Sequence, residues 1–291
     1  MGNVVGMDVA VVDYQADDAH ERFARSLKET GFAVIVNHPI APSLIEQVQN
    51  EWLEYFSGPD DKYAYDKTSE GDGYYGPDVS ETAKGANVKD LKEFFHIYPG
   101  WGQYPAAVDR TAFALFDQAT MIATTLLGWV ERHTPPEVAA GYSMPLSQMV
   151  KGSTRTLLRI LRYPPLRGDE PAGAVRAAAH EDINLITVLP AANEPGLQVK
   201  DLDGNWHDVP CDPGSLAINA GDMLQYASGG YFPSTTHRVV NPTGESAAKS
   251  RVSMPLFLHP ADDVVLADGR TARSFLEERI AILRGERPAA S

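Results

Sequence analysis

Cysteine is almost absent from these 291 residues: Cys211 stands alone, so no intrachain disulfide framework can staple the fold, and a reducing compartment, the cytoplasm, is expected. Basic charge is also scarce. There are 25 Lys and Arg against 39 Asp and Glu, giving a net charge of −14, and no Lys/Arg block is long enough to neutralise a run of phosphates. Nucleic acid is therefore not an expected partner. No stretch reaches the roughly 18 uncharged apolar residues of a membrane span, and the start MGNVVGMDVA has neither a basic n-region nor the Ser/Thr of a myristoylation signal. The GxSxG elbow, the P-loop and HExxH are missing too, which removes three common routes to hydrolase and phosphoryl-transfer chemistry. With no repeat, linker or low-complexity tract, one domain over 1–291 is expected. A hydrophobic share of 43% and a charged share of 22% are globular averages that exclude a disordered chain.

The first third alternates strand and helix signals. "DVAVVDY" and "FAVIVNH" read as strands. Between them "DDAHERFARSLKETG" reads as a helix with an Asp N-cap, Phe23 and Leu27 on one face, and Gly31 as its stop. "PSLIEQVQNEWLEYF" places Leu44, Ile45, Val48, Trp52 and Phe56 on one helical stripe. The segment 58–101 reads as irregular, and residues 111–134 as a long buried helix. Beyond Thr154 come short strands separated by Gly, Pro and Asp, with Asp203-Gly204 as a hairpin turn, then a C-terminal helix. The expected architecture is α+β with a mainly β core: a jelly roll over 154–260, an N-terminal helix and strand cover over 1–153, and a C-terminal helix over 261–291.

Among eight histidines, His20 and His133 read as solvated surface groups, and His38, His207 and His259 as structural. His180 differs. In "AAAHEDINLITVL" it stands two residues before Asp182, so the strand period turns both side chains to one face, and His237 in "STTHRVVNP" can supply a third ligand. Two His and one carboxylate leave open positions on an octahedral metal, the arrangement of non-haem Fe(II) oxygenases. Alone, H-x-D is a weak signal. It gains weight from "SRVSMPLF", where Arg251 and Ser253 share a face and offer a guanidinium fork and a hydroxyl to a buried carboxylate.

In that order, with "GFAVIVNHPIAPSLIEQVQ", "GYY", "LRYPP", "HEDINLITVLPAANEPGLQVKDLDGNWHDVPCDPGSLAINAGDMLQ", "PSTTHRVVNP" and "RVSMPLFLHP", the chain resembles the isopenicillin N synthase-like branch of Fe(II)/2-oxoglutarate-dependent oxygenases over nearly its whole length. The resemblance implies a double-stranded β-helix. It also implies Fe(II) on His180, Asp182 and His237, with 2-oxoglutarate and O2 as cosubstrates. Arg251 and Ser253 would hold the distal carboxylate of 2-oxoglutarate, and Tyr163 would reach it. The expected reaction hydroxylates, desaturates or cyclises a small molecule and releases succinate and CO2. Leu161 stands where plant members carry Asn, Gly71 where a synthase-type member would carry Arg, and Asp182 where a halogenating relative would have a small residue.

Two competing readings remain: an Fe(II) oxidase that consumes no 2-oxoglutarate, and a non-catalytic jelly-roll binding protein, which the intact ligand set disfavours. Alternation brings Pro255 and Phe257 inward with Arg251, and Leu161 and Arg159 inward with Tyr163, while Tyr75 and Phe95 would come from the cover segment. An inward Arg159 requires an anionic partner, either an acid such as Asp90 or Glu93 or a carboxylate on the substrate. Cys211 in "VPCDPG" reads as a passive turn residue.

Overall fold

Strands covered on both faces read as unbroken apolar runs, and FAVIV is one of them. In the computed structural model, which describes residues 7–58, 60–77 and 89–283, it forms β2 (Phe32–Val36), next to β1 (Val11–Asp13). Later in the chain come β3 (Gly73–Tyr75), β4 (Glu93–Ile97), β5 (Leu157–Tyr163), β6 (Ala177–His180) and β7 (Ile186–Pro190). They are followed by β8 (Leu197–Lys200), β9 (Trp206–Asp208), β10 (Leu216–Ala220), β11 (His237–Val239), β12 (Arg251–Ser253) and β13 (Leu256–Leu258). Among the described residues nine strands make the major sheet, in the order β1-β2-β10-β7-β13-β5-β4-β3 with β12 also on β5, and four make the minor sheet, β6-β11-β8-β9. Apart from the parallel β1–β2 pair, the ladders within these two sheets are antiparallel. A small hairpin, β14 (Val265–Ala267) with β15 (Arg270–Thr271), lies beyond.

The helices are α1 (Ala19–Thr30), α2 (Pro42–Ser57), α3 (Thr111–Arg132), the short α4 (Pro136–Ala139), α5 (Leu146–Met149) and α6 (Asp222–Ala227), and α7 (Ala272–Leu283). Alternation along each major-sheet strand decides which side a residue serves. Ala33, Ile35, Leu158, Ile160, Ile186, Val188, Leu216, Ile218, Leu256 and Leu258 form one apolar cluster with Phe23, Leu27, Val48, Trp52 and the buried residues of α3. Their neighbours Phe32, Val34, Leu161, Tyr163 and Ala217 face the other way and meet Leu197, Val199 and Val239 of the minor sheet. The candidate site lies on this inner side.

α1 ends as the sequence predicts: Gly31 is left-handed at φ 72°, and its N–H returns to the Leu27 carbonyl at 2.9 Å. A Cβ there would lie 2.2 Å from Thr235 Oγ1 and 2.6 Å from the Pro233 carbonyl, so the glycine also admits the segment that leads into His237. Asp18 occupies the N-cap position without a side-chain capping bond, contrary to expectation.

Of three expectations, two are corrected and one is met. The segment 58–101 is not wholly irregular, because β3 and β4 extend the major sheet, with Glu93↔Arg162 through Ile97↔Leu158 in register. These short runs take their conformation from the strands they pair with, β4 from β5 and β3 from β4, rather than from a pattern of their own. Second, the long buried helix read over 111–134 is present as α3, apolar at a mean hydropathy of 1.3, with Leu115, Ile122, Leu126, Leu127 and Val130 buried against the major sheet and its helices. Third, Phe95 does not line an inner pocket. Strand alternation puts it with Ile97 on the helical side, fully buried, its ring 5.2 Å from Trp52. Phe95→Ala should therefore lower unfolding free energy by about 3–5 kcal/mol, as denaturant melts would show.

Candidate active site

His180 and His237 stand directly opposite each other in the β6–β11 ladder, with ring centroids 4.4 Å apart. Asp182 follows β6 on a loop pinned by the start of α6. The Asp222 N–H donates to the Asp182 carbonyl at 2.7 Å, and the Gly221 N–H to the Leu185 carbonyl at 2.9 Å. A Cβ on Gly221 would come within 2.2 Å of the Asn184 carbonyl, so only glycine allows this approach.

Asp182 Oδ1 lies 3.9 Å from His180 Nε2 and 3.8 Å from His237 Nε2, and ligand atoms of the three residues all fall within 4.8 Å of one another. Each ring nitrogen pointing away is spoken for. His180 Nδ1 donates to the Ala178 carbonyl at 2.8 Å, and His237 Nδ1 to the Thr235 carbonyl at 3.1 Å, which leaves both Nε2 atoms as lone-pair donors toward the centre. Asp182 Oδ2 accepts from the Thr187 hydroxyl at 2.6 Å and from Asn219 Nδ2 at 2.8 Å, so Oδ1 is turned to the histidines. Burial pushes the Asp182 carboxyl up, but His237, His180 and these two hydrogen bonds outweigh it and hold it below the usual carboxylate range. Burial and the adjacent His237 lower the pKa of His180, favouring the neutral imidazole a metal requires. Two imidazoles and one carboxylate fit a divalent iron.

Farther inside, Arg251 pairs with Tyr163 and Ser253 with Leu161 across β12–β5. All four are buried. Arg251 Nε donates to the Glu194 carbonyl at 2.9 Å, its Nη1 has no hydrogen-bond partner, and its guanidinium carbon sits 5.3 Å from the centre of the Tyr163 ring. Arg176, which sequence reasoning missed, is buried beside the same ring at 5.9 Å. Nothing in "AVRAAAH" separates this arginine from a surface one. Thr187 and Asn219 were missed for a similar reason, since a hydroxyl and an amide on apolar strands acquire meaning only from the carboxylate they meet.

A third group lies on β3, β4, β5 and β13. Arg159 Nε donates to His96 Nε2 at 2.8 Å, while its guanidinium carbon lies 4.5 Å from the Phe94 ring centre and 5.2 Å from that of Phe257. His96 Nδ1 donates to the Gly71 carbonyl at 2.7 Å, and Tyr75 stacks on Phe94 at 4.5 Å and donates its hydroxyl to the same carbonyl at 3.0 Å. Pro255 is buried at the start of this stretch, and its carbonyl accepts the Arg159 N–H at 2.9 Å. Phe94 and His96 thus stand where Phe95 was expected. Glu93 is also on the opposite face, paired with Arg162 at 2.8 Å and Lys62 at 3.3 Å, which removes it as a partner for Arg159. Asp90 pairs with Lys92 at 2.8 Å.

The remaining histidines differ from a simple surface picture. His20 and His133 bond to each other at 2.7 Å and stack, while burial holds His259 down to about 4, a neutral core imidazole. His207 is tied to Asp201 at 2.6 Å. Burial pushes the Cys211 thiol up, and it accepts a hydrogen bond from Ser215, which suits an inert residue.

With this geometry in view, the comparison with known proteins is decisive. Residues 155–260 match the 2OG-Fe(II) oxygenase superfamily, and residues 7–111 match the N-terminal region described for non-haem dioxygenases in morphine synthesis. A solved structure from Shewanella oneidensis, assigned as an oxygenase, is 50% identical, covers 95% of this chain and 99% of its own, and superposes with a TM-score of 0.85. The chain belongs to the 2OG-Fe(II) oxygenase superfamily. A family member from Caulobacter crescentus is 30% identical with a TM-score of 0.77, covering 94% of this chain and 99% of its own. Flavonol synthase 1 of Crocosmia x crocosmiiflora is 30% identical over 81% of this chain and 71% of its own length. As a superfamily member the protein is an Fe(II)- and 2-oxoglutarate-dependent dioxygenase with a jelly-roll core, using O2 to oxidise a small molecule. Because Thr187 and Asn219 orient Asp182, Thr187→Val and Asn219→Ala should each weaken Fe(II) binding by about 10- to 100-fold, and His180→Ala or His237→Ala should weaken it further, measured by anaerobic calorimetry.

Proposed function

We propose that His180, Asp182 and His237 hold Fe(II), and that Arg251, Ser253 and Tyr163 hold the distal carboxylate of 2-oxoglutarate. The observation that supports this reading most strongly is the Asp182 carboxylate, anchored through one oxygen and turned through the other to two imidazoles in their ligand tautomer. When bound, the iron supplies O2 activation coupled to the oxidation of 2-oxoglutarate to succinate and CO2. The chain supplies orientation, dryness and charge. Arg251 gives a buried guanidinium fork, Ser253 a hydroxyl on the same strand face, and Tyr163 a neighbouring phenol.

The substrate is proposed to be a small molecule bearing a carboxylate, received at Arg159. The Arg159 guanidinium lies near the rings of Phe94 and Phe257 and its Nε donates to His96, which sets a positioned cation beside aromatic walls. Tyr75 adds a further aromatic wall, while Leu161 and Pro255 complete the lining. The lone Cys211 thiol and the ferrous requirement suit a reducing compartment such as the cytoplasm.

Titrating the Fe(II)-loaded protein with 2-oxoglutarate without oxygen tests the cosubstrate assignment. Arg251→Met should lose about 2–5 kcal/mol, on the order of 30- to 4000-fold in affinity, and Arg251→Lys should be intermediate because it keeps charge without the fork. Turnover that yields no succinate would return the reading to an oxidase that consumes no 2-oxoglutarate. For the substrate site, Arg159→Met should raise KM sharply with 2-oxoglutarate affinity and Tm nearly unchanged. A fall in Tm with unaltered KM would assign Arg159 to the scaffold.

A further inference from the structure

Two guanidinium groups are buried around one tyrosine ring, and among the described residues neither forms an ion pair. Arg176 is 0% exposed and Arg251 2%. Arg176 Nη2 donates to the Lys249 carbonyl at 3.0 Å, but its Nε and Nη1 have no hydrogen-bond partner. Arg251 Nη1 is unpartnered as well. The nearby acid, Glu194, directs its carboxylate to Lys249 Nζ at 3.3 Å and toward Ser246, and gives Arg251 only its backbone carbonyl. Like charges in a dry interior repel, and idle donors there have lost their water, so proximity to the Tyr163 ring compensates only part of the deficit. An anion with several acceptor positions would relieve both at once. A carboxylate has two oxygens and about four lone-pair sites, enough for the three idle nitrogens.

We propose that Arg176 is a second guanidinium for the distal carboxylate of 2-oxoglutarate, forming with Arg251 and Tyr163 a two-cation end wall to the cosubstrate pocket. This rests on the assignment of Arg251 to that carboxylate. The opposing structural role is definite: the Arg176 backbone N–H bonds Asn241 Oδ1 at 2.9 Å and its side chain bonds the Lys249 carbonyl, so the residue would merely staple the 241–249 segment to β6. The two roles differ in what removal of the charge does to the ligand-free protein. A staple loses stability. An end wall with no anion present is relieved of a buried, unpaired charge.

The experiment uses the Fe(II)-loaded protein under anaerobic calorimetry with two probes: 2-oxoglutarate, and 2-oxobutyrate, which keeps the keto-acid end and lacks the distal carboxylate. Arg176→Met should weaken 2-oxoglutarate binding at least tenfold, leave 2-oxobutyrate within twofold, and leave the Tm of the metal-free, cosubstrate-free protein unchanged or raised. Arg176→Lys should fall between wild type and Met for 2-oxoglutarate. If Arg176→Met binds 2-oxoglutarate within twofold of wild type while Arg251→Met loses it, the second guanidinium is refuted and the proposed Arg251 site stands. If both variants bind normally, the whole pocket assignment falls. Should Arg176→Met fail to fold, the Lys variant decides: unchanged 2-oxoglutarate affinity overturns the inference, and a selective loss relative to 2-oxobutyrate supports it.

Discussion

The arrangement of the candidate metal centre depends on how one buried carboxylate divides its two oxygens. Asp182 Oδ2 is held by Thr187 on β7 and Asn219 on β10, both in the major sheet, while Oδ1 faces two histidines paired across the minor sheet. The carboxylate is therefore the polar link between the two sheets at this end of the jelly roll. The two donors that fix Oδ2 also favour its ionised form against burial, so the ligand geometry and the protonation state share an origin.

The apolar architecture serves that link by keeping its two faces distinct. On the helical side of the major sheet nearly every inward residue is aliphatic or aromatic, and Trp52 with Phe56 and Phe95 closes the layer beneath α2. On the inner side the same strands alternate to Thr187, Asn219, Arg159, Tyr163 and Ser253. A one-residue slip in any of these strands would exchange a core aliphatic for a site residue, so packing of the helical layer fixes the register on which the site depends. The two glycines at Gly31 and Gly221 contribute in another way, letting backbone approach where a Cβ could not fit.

Charge is distributed against the net balance. The chain carries −14 overall, yet its inner side collects Arg159, Arg176 and Arg251, all from strands or strand edges and all near aromatic rings. Cationic groups gathered on the inner side of an acidic chain suit anionic ligands. Burial makes Arg176 and Arg251 consequential, since a guanidinium in a dry site interacts far more strongly than one in water.

The sequence by itself determined the parts that are local or periodic. The α1 stop at Gly31, the α2 stripe, the strands from Thr154 onward and the H-x-D with a distal His and Arg-x-Ser were legible, because spacing in a helix or strand dictates which side chains share a face. Tertiary structure alone decided what depends on partners distant in the chain. β4 is a strand because β5 offers it an edge, β3 adds in turn to β4, and Phe94 with His96 rather than Phe95 faces inward because the β4–β5 pairing sets their register. His20 is tied to His133 from 113 residues away, a pairing no local pattern could announce. Thr187, Asn219 and Arg176 stand apart for the same reason: a hydroxyl, an amide or a cation acquires its role from the group it meets once water is excluded, and that meeting is made only by the closing of two sheets.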